Sequence, residues 1–256
     1  MLQRVAQRKI VLPALFFLFL ALVGAYAVGE LAGTHVDLPE MVVRKASLGT
    51  LEGGYYPLLL ETNRGKVEGH YYPALNAQRG AIFIPGADNG WEEAANGLYP
   101  RLCKELPGEG IACLIMHYRN VDDPMECILD VVAGIRYLES QDVSSVALMG
   151  HSRGGMIVIY TAVAMPAVRT VVTLATEGVE GELVKRLGAR CSILLIHGMS
   201  DRVISYKTSE KLYQAAQEPK RLIIYKANDH LLDRAADEVH QEVQGWIVQQ
   251  LEGNAP

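Results

Sequence analysis

The stretch that decides the fold is Val146–Gly155, which reads VALMGHSRGG. Its first half is apolar, as in a buried strand, and an apolar helical pattern follows over residues 154–163. A G-x-S-x-G pentapeptide, residues 150–154, therefore stands between a strand and a helix. A chain that turns so sharply strains its turn residue and needs small neighbours on both sides. The pattern predicts that the Ser152 hydroxyl is displayed at the end of the strand.

Apolar runs and helical patterns alternate along the rest of the chain. Such alternation predicts one mostly parallel sheet of about eight strands, with helices on both faces. In such sheets ligands bind beyond the carboxyl ends of the strands, so the residues that follow each strand are the candidates for chemistry. The predicted strands lie at residues 55–62, 67–74, 81–85, 111–117, 146–150, 168–175, 192–197 and 221–226.

A serine becomes a nucleophile at neutral pH only with a base beside it. His230 follows the last predicted strand directly, in the sequence Asn228-Asp229-His230, and is the candidate base. His197 is the alternative, but it ends its own strand. His240 lies inside the last predicted helix, a poor position from which to reach Ser152.

The base must in turn be oriented by a carboxylate. Asp201 lies in the loop that follows the strand at residues 192–197, and the resulting chain order is Ser, Asp, His. Glu177 follows the preceding strand and is the alternative acid. Asp229 is adjacent to His230 and therefore points elsewhere.

Acyl chemistry also needs backbone N–H groups where negative charge develops on oxygen. The residue after the nucleophile, Arg153, supplies one candidate N–H. The loop after the strand at residues 81–85 reads GADNGW, and its Ala87 N–H is the second candidate. The glycines of this loop allow close approach of backbone to a substrate.

Taken together, these pieces resemble the α/β-hydrolase superfamily over residues 55–250. The matching pieces, in the family's order, are IFIPGADNG, LIMHYRN, MGHSRGG, LIHGMSD and NDH. The resemblance implies an α/β-hydrolase fold with Ser152 as nucleophile, Asp201 as acid, His230 as base, and Ala87 with Arg153 as oxyanion hole. It also implies that the loop His117-Tyr118-Arg119 is structural.

The chain departs from this resemblance in informative ways. Its compact plan without a lid resembles dienelactone hydrolase, whose nucleophile is Cys where this chain has Ser152. Pro85-Gly86 replaces the His-Gly of many members at the oxyanion loop. Only residues 176–190 are available for a cap, which leaves room for one short helix and predicts an open site. Trp91 and Met156 are the predicted substrate-binding side chains.

The function expected from these residues is cleavage of carboxylic esters through a Ser-His-Asp acyl-enzyme mechanism, on a small-molecule ester. A thioesterase, a lipase or a serine peptidase would use the same triad. A non-catalytic, membrane-tethered binding protein is the alternative from another class, which an intact triad disfavours. The spacing of His and Cys suggests no metal, and no cofactor is implied.

The first 29 residues differ from the rest. Basic residues precede the uncharged run 10–29, whose apolar centre is VLPALFFLFLALV. A signal peptide cleaved near Ala27 and a signal anchor that spans about 30 Å of hydrocarbon both fit this pattern. Either one predicts export, with the catalytic domain outside the cytoplasm. Residues 30–50 are predicted to be a linker and residues 51–256 the hydrolase domain.

Charge and cysteine content bound the remaining possibilities. The net charge is −5 and Lys and Arg form no cluster longer than a pair, so a nucleic-acid partner has no electrostatic basis. The cysteines lie in apolar segments, which favours buried free thiols, although an exported chain can form disulfides and the pairing stays open. They are Cys103, Cys113, Cys127 and Cys191.

Overall fold

The apolar runs of the sequence form the strands of a single sheet in a computed structural model, which describes residues 37–92 and 94–252. Within these residues the sheet has nine strands in the order β1-β2-β3-β5-β4-β6-β7-β8-β9. The strands from β4 to β9 are parallel, and β1, β2 and β3 pair antiparallel at one edge. Their bounds are β1 Val43–Leu48, β2 Tyr56–Thr62, β3 Gly65–Tyr72, β4 Arg79–Ile84, β5 Ile111–Met116, β6 Ser145–His151, β7 Val168–Leu174, β8 Ser192–Gly198 and β9 Lys220–Tyr225.

Helices cover both faces of the sheet, as predicted. Side chains alternate between the faces of a strand, so Ile82 and Ile84 of β4 join one apolar core while Ala81 and Phe83 join the other. The first core contains the apolar faces of α2 to α5, and the second contains those of α1 and α6. The helices are α1 Ala94–Glu105, α2 Pro124–Glu139, α3 Arg153–Ala164, α4 Gly181–Lys185, α5 Lys207–Ala215 and α6 Ala236–Glu252.

Strand β1 lies inside the segment that the sequence assigned to a linker. Its sequence VRKASL shows no apolar alternation, and most of its side chains are exposed at the edge of the sheet. Pairing with β2, from Val43 opposite Thr62 to Leu48 opposite Leu58, makes it a strand. The sheet therefore starts at Val43, before the predicted domain boundary at residue 51.

The connection between β7 and β8 is as short as the sequence predicts. It contains only α4 and a short 3-10 turn at Gly188–Arg190. The Leu183 and Val184 side chains of α4 pack into the core beside the sheet. The cap is therefore minimal.

Two of the four cysteines form a disulfide, and the other two are free thiols. Cys103 of α1 and Cys113 of β5 form a disulfide, with their Cα atoms 5.2 Å apart. The prediction of free thiols was wrong for this pair, because α1 packs directly on β5 and brings two residues of the same core within bridging distance. Cys127 and Cys191 are buried free thiols, as expected.

The predicted signal peptide or anchor, residues 1–29, lies outside the described residues. Within residues 37–92 and 94–252, no helix is both long enough and apolar enough to cross a membrane.

Candidate active site

Ser152 occupies the sharp turn between β6 and α3. Its backbone has φ 54° and ψ −119°, a region that residues other than glycine rarely adopt. Its backbone N–H donates to the Leu174 carbonyl of β7 at 2.8 Å, which ties the turn to the neighbouring strand. The side chain stands half-buried at the N-terminus of α3, the positive end of the helix dipole.

Glycines make this turn sterically feasible, as the sequence predicts. A Cβ atom on Gly150 would overlap the backbone of Gly154, and one on Gly154 would meet the carbonyl oxygens of Ile84 and Pro85. A Cβ atom on Gly155 would overlap the Thr176 side chain. The turn thus packs against the ends of β4 and β7 with no space for side chains.

Asp201 and His230 form a hydrogen-bonded pair. His230 Nδ1 lies 2.7 Å from Asp201 Oδ2. Because a carboxylate only accepts hydrogen bonds, Nδ1 carries a proton, and Nε2 is the ring nitrogen that can act as a base. The Asp201 side chain is fully buried, and the His230 side chain is 16% exposed. His230 is therefore oriented as a base with one nitrogen available.

Asp201 is held as an anion by its neighbours. Burial alone would raise the pKa of its carboxyl, but hydrogen bonds from His197, from His230 and from the Ile204 N–H outweigh burial and hold that pKa well below its usual range. Oδ1 accepts from the Val203 and Ile204 N–H groups at 2.7 and 2.9 Å. The carboxylate is thus fixed in both position and charge.

The Ser152 turn and the His230 loop are in direct contact through His151. His151 Nε2 donates to the His230 carbonyl oxygen at 3.0 Å, and the two ring centroids are 4.8 Å apart. His151 immediately precedes Ser152, so the predicted nucleophile and base lie at the same edge of the sheet. The structure thus brings Asp201 and His230 into direct contact and places the Ser152 turn beside the His230 loop.

The alternative residues have other contacts. The Glu177 carboxylate lies 4.0 Å from Arg153 Nε, and burial raises its pKa while Arg153 partly opposes that rise. His197 is buried behind Asp201, and His240 lies 3.2 Å from Glu105 between α6 and α1. Asp229 accepts from the Leu231 N–H at 3.2 Å, which shapes the loop beside His230.

The loop after β4 carries Ala87 in an exposed position. Asn89 fixes this loop to the segment after β5, because its side chain accepts from the Tyr118 N–H at 2.9 Å and donates to the Tyr118 carbonyl at 3.2 Å. The Tyr118 hydroxyl donates to the Pro85 carbonyl at 3.0 Å. No described residue accepts a hydrogen bond from the Ala87 N–H.

Arg153 begins α3, where backbone N–H groups point beyond the helix N-terminus. Its side chain turns away to the Val121 carbonyl, to which Nη1 donates at 2.7 Å. The guanidinium is largely buried, with 13% of the side chain exposed.

The predicted pocket residues are placed differently from the expectation. Trp91 is sandwiched between His70 and His117, with ring centroids 3.7 and 3.3 Å away, so both faces of its ring are covered. Only its edge is left to meet a ligand. Met156 is 8% exposed and packs in the core beneath α3.

Sequence reasoning missed two residues that shape the site. A Cβ atom on Gly198 would overlap the carbonyl oxygens of Asn228 and Asp229, so this glycine lets the His230 loop cross the end of β8. In the sequence Asn89 stands out only as one residue of the loop that carries Ala87. The signal for Gly198 was its place directly after a strand and ahead of Asp201.

Within residues 37–92 and 94–252, no group of three His, Cys, Asp or Glu side chains is placed to hold a metal ion.

Comparison with known proteins places this geometry in a family. Residues 98–244, more than half of the chain, match the Dienelactone hydrolase family. The uncharacterized protein YfhR of Escherichia coli K12 is 42% identical over 62 residues, which are 23% of this chain and 22% of that protein. The match thus spans about a fifth of this curated relative.

Solved structures share the fold at low sequence identity. The esterase domain of a Rhodothermus marinus protein superposes with a TM-score of 0.61 at 19% identity, covering 76% of this chain and 98% of its own. Est1E from Butyrivibrio proteoclasticus superposes with a TM-score of 0.64 at 15% identity, covering 81% and 99%. These likenesses confirm the expected α/β-hydrolase fold.

Proposed function

Because the chain belongs to the dienelactone hydrolase family, which is named for hydrolysis of a cyclic ester, we propose that it is a serine hydrolase of carboxylic esters. In this proposal Ser152 is the nucleophile, His230 the base and Asp201 the acid. The observation that carries it is the Asp201–His230 hydrogen bond at the same edge of the sheet as the strained Ser152 turn.

Acylation is the first step. Ser152 Oγ attacks the ester carbonyl carbon while His230 Nε2 takes its proton. The resulting imidazolium is stabilised by the buried Asp201 carboxylate, to which Nδ1 already donates. His230 then gives its proton to the departing alcohol, and the acyl group stays on Ser152.

Negative charge develops on the carbonyl oxygen during this attack. The N–H groups of Ala87 and Arg153 are the proposed donors to that oxyanion. Support comes from the exposed loop position of Ala87 and from the place of Arg153 as first residue of α3, at the positive end of the helix dipole.

Deacylation releases the acid and restores the enzyme. Water, activated by His230 Nε2, attacks the acyl carbonyl, and the proton returns to Ser152 as the bond breaks. Both steps use the same base and the same oxyanion donors.

The substrate is a small-molecule ester in this proposal. A cap of only α4 and one short turn leaves little to enclose a long chain. Est1E from Butyrivibrio proteoclasticus, which shares the fold, has been solved with ferulic acid bound. Thioesters, long acyl chains and peptides are the competing substrate classes, and one substrate panel separates them.

The test combines an active-site probe with that panel. Wild type, Ser152→Ala and Ser200→Ala are treated with a fluorophosphonate, and p-nitrophenyl esters of rising chain length are compared with thioester and amide analogues. We expect Ser152→Ala to lose labelling and to slow ester turnover on the order of 10⁴-fold or more.

Ser200 is the matched control, since it is an exposed loop serine beside Asp201 that donates to the Lys226 carbonyl. Its replacement should leave labelling and turnover near those of wild type. Undiminished turnover by Ser152→Ala would rule out the proposed nucleophile. A preference for amides over esters would move the function to a peptidase.

We further propose that the catalytic domain works outside the cytoplasm, either released or held by residues 1–29. Support comes from the basic and apolar pattern of that segment and from the Cys103–Cys113 disulfide, since disulfides persist in oxidising compartments. Fusion of residues 1–40 to alkaline phosphatase measures export, and carbonate extraction separates an anchored chain from a released one. Inactive fusions would refute export.

A further inference from the structure

Asp201 Oδ2 is shared by two histidines, only one of which belongs to the proposed triad. His230 Nδ1 lies 2.7 Å from this oxygen and His197 Nε2 lies 3.1 Å from it. His197 is the last residue but one of β8, and its side chain is fully buried. The acid of the triad thus binds a second imidazole on its inner side.

The partners of His197 define its protonation. Nε2 faces two acceptors, Asp201 Oδ2 and the Ile204 carbonyl oxygen, each at 3.1 Å, so Nε2 must carry a proton. Nδ1 lies 2.8 Å from the hydroxyl of Ser209 in α5, and that hydroxyl can donate to it. A neutral His197 with its proton on Nε2 satisfies every one of these contacts.

The chain of hydrogen bonds therefore has one direction. Ser209 donates to His197, His197 donates to Asp201, and His230 donates to the same Asp201 oxygen. Ser209 is fully buried, so water does not compete for this end of the chain. Burial strengthens such hydrogen bonds and makes the loss of any member costly.

We propose that His197, set in its tautomer by Ser209, is a positioning residue for the Asp201–His230 pair. Its Nε2–H holds Asp201 Oδ2 in place. By donating a hydrogen bond to that oxygen, it also reduces the negative charge that acts on His230. The inference rests on the proposed function for its effect on turnover. The hydrogen-bond chain itself can be tested without a substrate.

The charge argument predicts a direction. Removal of the His197 donor leaves more negative charge on Oδ2 for His230, which favours the imidazolium form. His230 should then lose its proton at a higher pH. A residue that only fills the core would not move this titration.

The first measurement follows the His230 ring signals by NMR as a function of pH in wild type, His197→Leu and His197→Gln. Gln places an amide donor near the position of Nε2. We expect the titration midpoint to rise by about one pH unit in His197→Leu and to stay near that of wild type in His197→Gln. Ser209→Ala should shift it partway, because it frees the tautomer of His197.

The second measurement uses turnover of the best p-nitrophenyl ester. His197→Leu should lower kcat by on the order of ten- to a hundredfold with KM within about twofold, because a displaced carboxylate misorients the base without changing substrate contacts. The acid limb of the kcat/KM profile should move with the NMR midpoint. His197→Gln should recover most of the lost kcat.

Equal midpoints in wild type, His197→Leu and His197→Gln, with all three folded by circular dichroism, would overturn the inference. If His197→Leu does not fold, the comparison of His197→Gln with Ser209→Ala decides, and equal midpoints there overturn it as well. Absence of Ser152-dependent ester turnover in wild type would instead refute the proposed function, and the NMR titration would still decide the role of His197.

Discussion

Asp201 accepts four hydrogen bonds inside the protein, whereas Ala87 stands exposed on a loop that is fixed mainly by its neighbour Asn89. The first region, at the ends of β8 and β9, orients the proposed acid and base. The second, after β4, offers the proposed oxyanion donor. The acid–base side is thus fixed by many buried contacts, while the oxyanion side depends on a few.

The contrast has a physical origin in the chemistry required of each side. A base must keep one tautomer and one orientation through two proton transfers, which demands a fixed charge beside it. In the proposed function the Ala87 loop contacts the substrate and accommodates esters of different shape. The few hydrogen bonds that Asn89 and Tyr118 make are then enough to hold this loop. Substitutions on the two sides should therefore differ in size and in kind.

Among substitutions on the two sides, Asp201→Asn is expected to have the largest effect. The amide cannot hold His230 in the tautomer with its proton on Nδ1, and kcat should fall on the order of 10⁴-fold. Steady-state kinetics on the best ester substrate measure it. Asp229→Asn is the control, because Asp229 only accepts from the Leu231 N–H, and it should stay within about threefold of wild type. A small effect of Asp201→Asn would return Glu177 to consideration as the acid.

Asn89→Ala tests the weaker anchoring of the oxyanion side. It removes both side-chain hydrogen bonds to the Tyr118 backbone, each worth about 1 kcal/mol. The loss frees the Ala87 loop, so kcat/KM should fall by about ten- to thirtyfold, far less than in Asp201→Asn.

Asn89→Asp refines that experiment, since its carboxylate still accepts from the Tyr118 N–H but no longer donates to the Tyr118 carbonyl. Its kcat/KM should lie between those of wild type and Asn89→Ala, measured on the same ester. A loss as large as that of Asp201→Asn would erase the difference between the two sides.

The acid–base side was also the part most readily predicted from sequence. Ser152, Asp201 and His230 each lie within five residues of the end of a strand. Parallel strands end at one edge of a sheet, so the pattern alone predicted that these residues lie at the same edge. His197 was read as a competing base, because its place at the end of β8 does not reveal that it faces inward. Its role depends on Ser209 of α5, a contact that only the packed structure shows.

Features that depend on long-range packing escaped prediction. Strand β1 has an exposed sequence and exists through its pairing with β2, and the Cys103–Cys113 bridge depends on how α1 sits on β5. The sequence predicts Trp91 as a pocket side chain, but the stacked rings of His70 and His117 cover the faces of its ring. Local pattern carries no information about such partners.

The smallest expected effect is on the pH dependence of the unfolding free energy. It distinguishes the acid–base side, which contains the charged Asp201, from the oxyanion side, which is held by the uncharged Asn89. The pKa of Asp201 in the folded protein is held below its ordinary value of 3.8. As the pH falls, the Asp201 carboxyl therefore becomes protonated in the unfolded chain before it does in the folded protein. The stabilisation from Asp201 is therefore complete above about pH 5 and is lost as the pH falls through 3.8 toward the lower folded value. Wild type should thus lose about 1 kcal/mol more unfolding free energy between pH 6 and pH 3 than Asp201→Asn does.

Urea titrations at the two pH values measure this difference. Asn89→Ala serves as the neutral comparison: because Asn89 does not titrate, its cost relative to wild type should be the same at both pH values. Equal losses for wild type and Asp201→Asn would mean that the hydrogen bonds to Asp201 do not favour its charged form. The acid–base side would then be set by geometry alone, and its contrast with the Ala87 loop would be one of contact number rather than of charge.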